Sequence, residues 1–136
     1  MTTNQTTLTA HFERIADRTE ELDKSFYALL DERHPEVLNS VELGSTQRTQ
    51  MLNQILAAVH DTLHVDDTEW VAAQLGALGR AHVRWNVKTN MYQHVCECLV
   101  DALAILPDSG WSEELKVLWT NKLMHISVMM HGPAKA

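Results

Sequence analysis

Cysteine, proline, glycine and aromatic residues are all scarce in this chain. It has two cysteines, three prolines and five glycines, and Phe, Trp and Tyr together make up 6% of its residues. Cys96 and Cys98 lie two positions apart, so on a helix they point in different directions and a disulfide between them is not expected. With so few glycines and prolines, long stretches lack the residues that usually mark turns.

Long apolar runs and clusters of basic residues are also missing. No apolar stretch approaches the ~20 residues of a membrane span. The polar, threonine-rich start lacks the basic and apolar regions of a secretory signal. The net charge of −7 argues against a basic face for nucleic acid. We therefore expect a cytoplasmic protein that binds neither nucleic acid nor membrane, and the sequence gives no indication of its oligomeric state.

Helical periodicity is present along almost the whole sequence. Apolar residues make up 45% of the 136 residues, and they recur at helical rather than strand-like spacing. This pattern predicts an all-α protein with seven or so helices of uneven length, unlike an up-down bundle of four. We expect one domain over residues 1–136, with the first helix starting near Leu8 and flexible segments at 1–8 and 132–136.

Residues with strong positional preferences mark several helix boundaries. The position before Pro35 avoids the helical region, so the second helix is expected to end near His34, and Pro35 can open a short third helix. Asp66, Asp67 and Thr68 mark the boundary before a later helix. Ser112, followed by two glutamates, resembles the capping box that opens a last helix.

His82 differs from the other histidines of the chain. It comes one turn after Leu78 on an apolar-faced helix and precedes a short break. A neutral imidazole there can bind a metal through Nε2 while Nδ1 bonds a backbone carbonyl. The alternative for His82 is an ordinary core or surface histidine. The other seven histidines lie in polar stretches or at loop edges, and no pair has the H-E-x-x-H spacing of a zinc site.

The sequence around His82 resembles the proximal region of globins. Residues 75–82 read LGALGRAH, and residues 92–100 read YQHVCECLV. Similar segments occur in the expected order elsewhere, with FYALL at 26–30, PEV at 35–37 and WSEE at 111–114. The resemblance covers about residues 8–131. It is greatest to bacterial single-domain and flavohaemoglobin-type globins and to neuroglobin.

This resemblance implies a globin fold of about seven or eight helices around a haem pocket. The cofactor would be haem b, with His82 as the proximal iron ligand. Tyr92 is similar to the tyrosine near that histidine in bacterial globins, but the glutamate that often accompanies it has no counterpart here. The apolar pocket walls implied by the resemblance are Met51, Ile55, Leu78, Val87, Val95 and Ile126.

On the distal side, the resemblance makes Tyr27 the tyrosine that donates to a bound gas. Gln47 and Gln50 compete for the distal glutamine position. The residue four later should also face the haem and be apolar. Met51 follows Gln47 at this spacing, whereas Gln54 follows Gln50, so we favour Gln47. Tyr27 and Gln47 would each stabilise bound dioxygen by about 1.5–3 kcal/mol, which predicts slow release.

Two aromatic positions of globins are occupied differently in this sequence. Val41 stands where a phenylalanine usually packs against the haem, and Asp31 replaces an aromatic residue near the end of the second helix. Both changes remove aromatic packing around a haem. They are compatible with a looser pocket, a rearranged distal segment or a globin-fold protein that has lost haem.

The implied function is reversible binding of dioxygen, nitric oxide or carbon monoxide, for oxygen storage or transport. An enzymatic version is nitric oxide dioxygenation, which would need a separate reductase because the sequence contains no G-x-G-x-x-G nucleotide-binding motif. The main alternative is a globin-fold sensor or protein-interaction module with modified or lost haem binding. A bis-histidyl haem protein using His60 and an unrelated helical bundle without a cofactor are further alternatives.

Overall fold

The computed structural model describes residues 3–40, 45–84 and 88–131, except the side chains of residues 40, 45–47, 83, 84, 89 and 131. Val41, Val87, the Gln47 side chain and residues 132–136 therefore lie outside the described residues. Seven α-helices and no strand occur in the described part, which confirms the all-α prediction. They are α1 (Thr3–Ile15), α2 (Thr19–Arg33), α3 (Pro35–Ser40), α4 (Ser45–His64), α5 (Thr68–Arg84), α6 (Thr89–Ile105) and α7 (Glu113–His131).

Several of these helices begin or end where the sequence predicts. The Leu115 N–H donates to Ser112 Oγ over 3.1 Å, as expected of an N-cap before α7. The Trp70 N–H donates in the same way to Asp67 Oδ1 over 3.0 Å before α5. Helix α1 begins at Thr3 rather than near Leu8, so the described residues 3–8 are helical.

The core is built around α6 and α7. Helix α5 packs most extensively on α7, α2 packs on α6, and α1 also packs on α7. The side chains of Phe26, Leu99 and Trp119 are completely buried among these helices. Within the described residues, no helix combines the length and apolar character needed to cross a membrane.

His11 is an exception in this apolar interior because it is a buried titratable residue. Its side chain is 2% exposed, and its Nδ1 accepts a hydrogen bond of 2.9 Å from Trp119 Nε1. The ring is therefore neutral, with its proton on Nε2. Burial, together with the nearby Arg14 guanidinium, lowers the pKa of His11 below its ordinary value of 6.5.

We expect this buried imidazole to make the protein sensitive to acid. Because the pKa of His11 is lower in the folded state, the unfolded chain binds more protons as the pH falls below 6.5. The contribution of His11 to the free energy of unfolding is therefore present above that pH and is lost as the pH falls towards the folded-state pKa. In His11→Gln, whose side-chain oxygen can accept the Trp119 hydrogen bond, urea unfolding should depend less on pH.

The control for this measurement is His125→Gln, which removes an exposed histidine from α7. It should keep the acid sensitivity of the original protein. The free energy of unfolding is compared between about pH 7 and 5. If it depends on pH equally in the His11→Gln variant and in the original protein, His11 is not the source of the acid sensitivity.

Candidate functional site

His82 lies near the C-terminal end of α5, and a neighbouring carbonyl holds its ring. The His82 Nδ1 lies 2.7 Å from the Leu78 carbonyl oxygen, one turn earlier on the same helix. A carbonyl can only accept, so Nδ1 carries the proton and Nε2 carries the lone pair of the neutral ring. A histidine that binds a metal through Nε2 has this arrangement. The ring is partly exposed, so a ligand can approach it.

The Tyr92 side chain of α6 lies beside the His82 ring. The two ring centroids are 5.9 Å apart, with an angle of 34° between the ring planes. Burial raises the pKa of the Tyr92 hydroxyl above its ordinary value, so the phenol remains protonated at neutral pH. The structure thus brings together three residues of the implied proximal site: Leu78, His82 and Tyr92.

The position of α5, and with it His82, is fixed by a close crossing over α7. A Cβ atom added at Gly79 would overlap the backbone of Met130 on α7. Only glycine allows the two backbones to approach this closely. Gly79 is three residues before His82, so the crossing determines where the last turn of α5 lies.

We expect Gly79→Ala to destabilise the protein. Alanine in place of glycine within a helix normally increases stability by about 0.5–1 kcal/mol. At this crossing, however, the new methyl group would push α5 from α7, and overpacking of this kind typically costs about 1–3 kcal/mol. Urea unfolding of the variant will show which effect dominates, and a higher transition midpoint would contradict the close crossing.

The implied pocket walls that the structure describes lie on four helices. Met51 and Ile55 are half-buried and share one face of α4, since they are four residues apart. Leu78 on α5 and Val95 on α6 are also half-buried against the core. Ile126 of α7 is 5% exposed and lies one turn before Met130, the residue against which Gly79 packs.

Tyr27 of α2 is buried, and its hydroxyl contacts α4. The hydroxyl donates to the Arg48 carbonyl oxygen over 2.5 Å, and the Arg48 guanidinium lies 5.6 Å from the ring centroid. Burial, reinforced by Asp23, raises the pKa of the Tyr27 hydroxyl. The phenol is therefore a proton donor at neutral pH. Its single proton is directed at Arg48, and a bound gas would have to compete for it.

The other residues considered for the distal side lie on α2 and α4. Gln50 and Gln54, which form the alternative glutamine row on α4, are both exposed. His60 lies with its ring 6.2 Å from that of Phe12 on α1. It follows Met51 by nine residues, so it is about 180° around α4 from that side chain. Asp31 is exposed on α2.

A contact between two other histidines was missed by the sequence analysis. His34 and His94, both assigned to polar surroundings or loop edges, have stacked rings with centroids 3.6 Å apart. Their positions differ by 60 residues, so no local spacing links them. The only signal available from the sequence was the i, i+3 pair formed by His94 and Glu97.

Comparison with known proteins does not identify a family for this chain. No protein-family model matches it, and no curated protein is similar enough to count as a relative. Its function is therefore inferred from the geometry around His82 together with the resemblance described above. The His82 imidazole, with Nδ1 at the Leu78 carbonyl oxygen and the Tyr92 ring beside it, is a nitrogen donor of the kind that binds metal ions.

Proposed function

We propose that this chain adopts the globin fold and binds one haem b through His82. The observation that carries the proposal is the 2.7 Å contact between His82 Nδ1 and the Leu78 carbonyl oxygen. This contact supports the tautomer that a proximal ligand needs, with the proton on Nδ1 and the lone pair on Nε2. The ring of Tyr92 at 5.9 Å supports the same assignment because it limits how far the imidazole can rotate.

In the proposed pocket, some residues would hold and surround the haem, and others would contact the bound gas. Leu78 would orient the His82 ring through the hydrogen bond from Nδ1 to its carbonyl oxygen. The half-buried side chains of Met51, Ile55 and Val95 would give the apolar walls that a porphyrin needs. Haem, when bound, would supply an iron that takes up dioxygen, nitric oxide or carbon monoxide reversibly.

Tyr27 and Gln47 would act on the gas from the distal side. Burial keeps the Tyr27 hydroxyl protonated, so it can donate to a ligand that carries partial negative charge. Such binding serves oxygen storage or transport. Nitric oxide dioxygenation is the enzymatic version of this proposal, and it would need a source of electrons.

A globin-fold sensor or interaction module without haem is the second candidate. The hydrogen bond from the Tyr27 hydroxyl to the Arg48 carbonyl favours it, because this bond uses the one proton that a distal ligand would need. The two candidates differ in haem occupancy, which can be measured directly.

The first test is the absorption spectrum of the protein purified with haem available. We expect a Soret band corresponding to one haem per chain, which shifts when carbon monoxide is added to the reduced protein. His82→Ala should lose this coordination, whereas His125→Ala, an exposed histidine on α7, should retain it. A folded helical protein without a Soret band would instead support the haem-free module.

The second test addresses Tyr27. A hydrogen bond to a charged acceptor contributes about 1.5–3 kcal/mol, so Tyr27→Phe should speed dioxygen dissociation by about tenfold or more. Stopped-flow measurements give this rate. Carbon monoxide carries little charge, so its dissociation should change far less. Equal acceleration for both gases would indicate that the tyrosine acts through its bulk rather than its hydroxyl.

A further inference from the structure

Helix α2 ends against α6 at a pair of stacked imidazoles. His34 is the residue after the last turn of α2, and His94 lies in the second turn of α6. Their ring centroids are 3.6 Å apart and their planes differ by 15°. A neutral imidazole carries a nitrogen lone pair that can bind a metal ion.

A carboxylate completes the group. Glu97 is one turn after His94 on the same face of α6. One potential ligand atom from each of His34, His94 and Glu97 lies within 4.8 Å of the other two. We call these three residues the His34–His94–Glu97 cluster. Two imidazole nitrogens and one carboxylate oxygen form a ligand set that is common in zinc proteins.

One atom of this cluster is buried without a hydrogen bond. His94 Nδ1 is inaccessible to solvent and has no partner among the described residues. A buried polar atom without a hydrogen bond destabilises the folded chain. A cation bound within the cluster would give the ring a compensating interaction. The exposed Glu97 and the partly exposed His34 leave a route for the ion to enter.

Neighbouring contacts hold the cluster in place. Arg33, directly before His34, forms an ion pair of 2.5 Å with Asp101 of α6. This pair fixes the end of α2 on α6 one turn beyond Glu97. The Gln93 side chain donates to Glu97 Oε1 over 3.0 Å, which orients the carboxylate. Glu36 Oε1 lies 3.5 Å from His34 Nδ1 and adds negative charge at the rim.

We propose that the His34–His94–Glu97 cluster is a binding site for Zn²⁺ or a divalent transition-metal ion of similar ligand preference. Tetrahedral zinc with bonds of about 2.0–2.1 Å needs ligand atoms roughly 3.4 Å apart. A metal ion lies in the plane of an imidazole that binds it, so both rings would have to turn out of their stack for their nitrogens to reach that distance. With three protein ligands, the ion keeps a position for water. The bound ion joins α2 to α6 and stabilises the folded chain, independently of the proposed haem site.

The proposal is tested by titrating the purified protein with Zn²⁺ against a chromophoric chelator. We expect one equivalent to bind. Loss even of a residue that only orients a zinc ligand typically weakens binding by 10- to 100-fold. His94→Gln and Glu97→Gln should therefore each weaken zinc binding at least about tenfold. Zn²⁺ should also raise the thermal unfolding temperature of the original protein and leave that of Glu97→Gln nearly unchanged.

The control variant is His60→Gln, because His60 and His64 form another exposed histidine pair, with ring centroids 4.7 Å apart on α4. This variant should keep the zinc affinity of the original protein. His82→Ala should keep it too, which separates this site from the proposed haem site. Zinc binding that is lost in His60→Gln but retained in His94→Gln and Glu97→Gln would overturn the proposal, as would the absence of binding.

Discussion

The close crossing of α5 over α7 at Gly79 is the constraint on which the geometry around His82 depends. Two backbones that meet without an intervening side chain cannot slide or separate without losing contact along both helices. The last turn of α5 is therefore held at a fixed distance from α7. The imidazole of His82, one turn from its hydrogen-bond acceptor, has a defined direction as a result.

Two kinds of interaction meet at the candidate haem site. The bond from His82 to the Leu78 carbonyl is local, and it forms wherever α5 is helical. The ring contact with Tyr92 and the packing of Gly79 on Met130 are tertiary, and they require α6 and α7 to be in place. The local bond sets the tautomer of the imidazole, whereas the tertiary contacts set its position relative to the rest of the core.

This distinction explains what the sequence could predict. The helical class followed from apolar periodicity, and the boundaries at Pro35, at residues 66–68 and at Ser112 followed from local backbone chemistry. A histidine that bonds the carbonyl one turn earlier could also be anticipated from spacing alone. The first helix begins earlier than predicted because its polar threonines gave no apolar pattern before Leu8.

Contacts between segments that are far apart in the sequence could not be predicted from these local patterns. The stacking of His34 on His94 depends on how α2 lies across α6, and nothing near either residue in the sequence encodes that. The acceptor for the Tyr27 hydroxyl is the main-chain carbonyl of Arg48. Every residue has such a carbonyl, so the amino acid at this position did not indicate the hydrogen bond. The globin fold itself rests on the resemblance and on the proposed site, because helix content alone is shared by many all-α proteins.

The hydrogen bond between His11 and Trp119 has a consequence for the order of events during synthesis. Its two residues are separated by 108 positions, so α1 leaves the ribosome long before its partner on α7. At about 5–20 residues per second, the delay is roughly 5–22 s. Throughout that time the apolar face of α1 has no α7 to cover it. The first helix of the chain is thus among the last to reach its final surroundings.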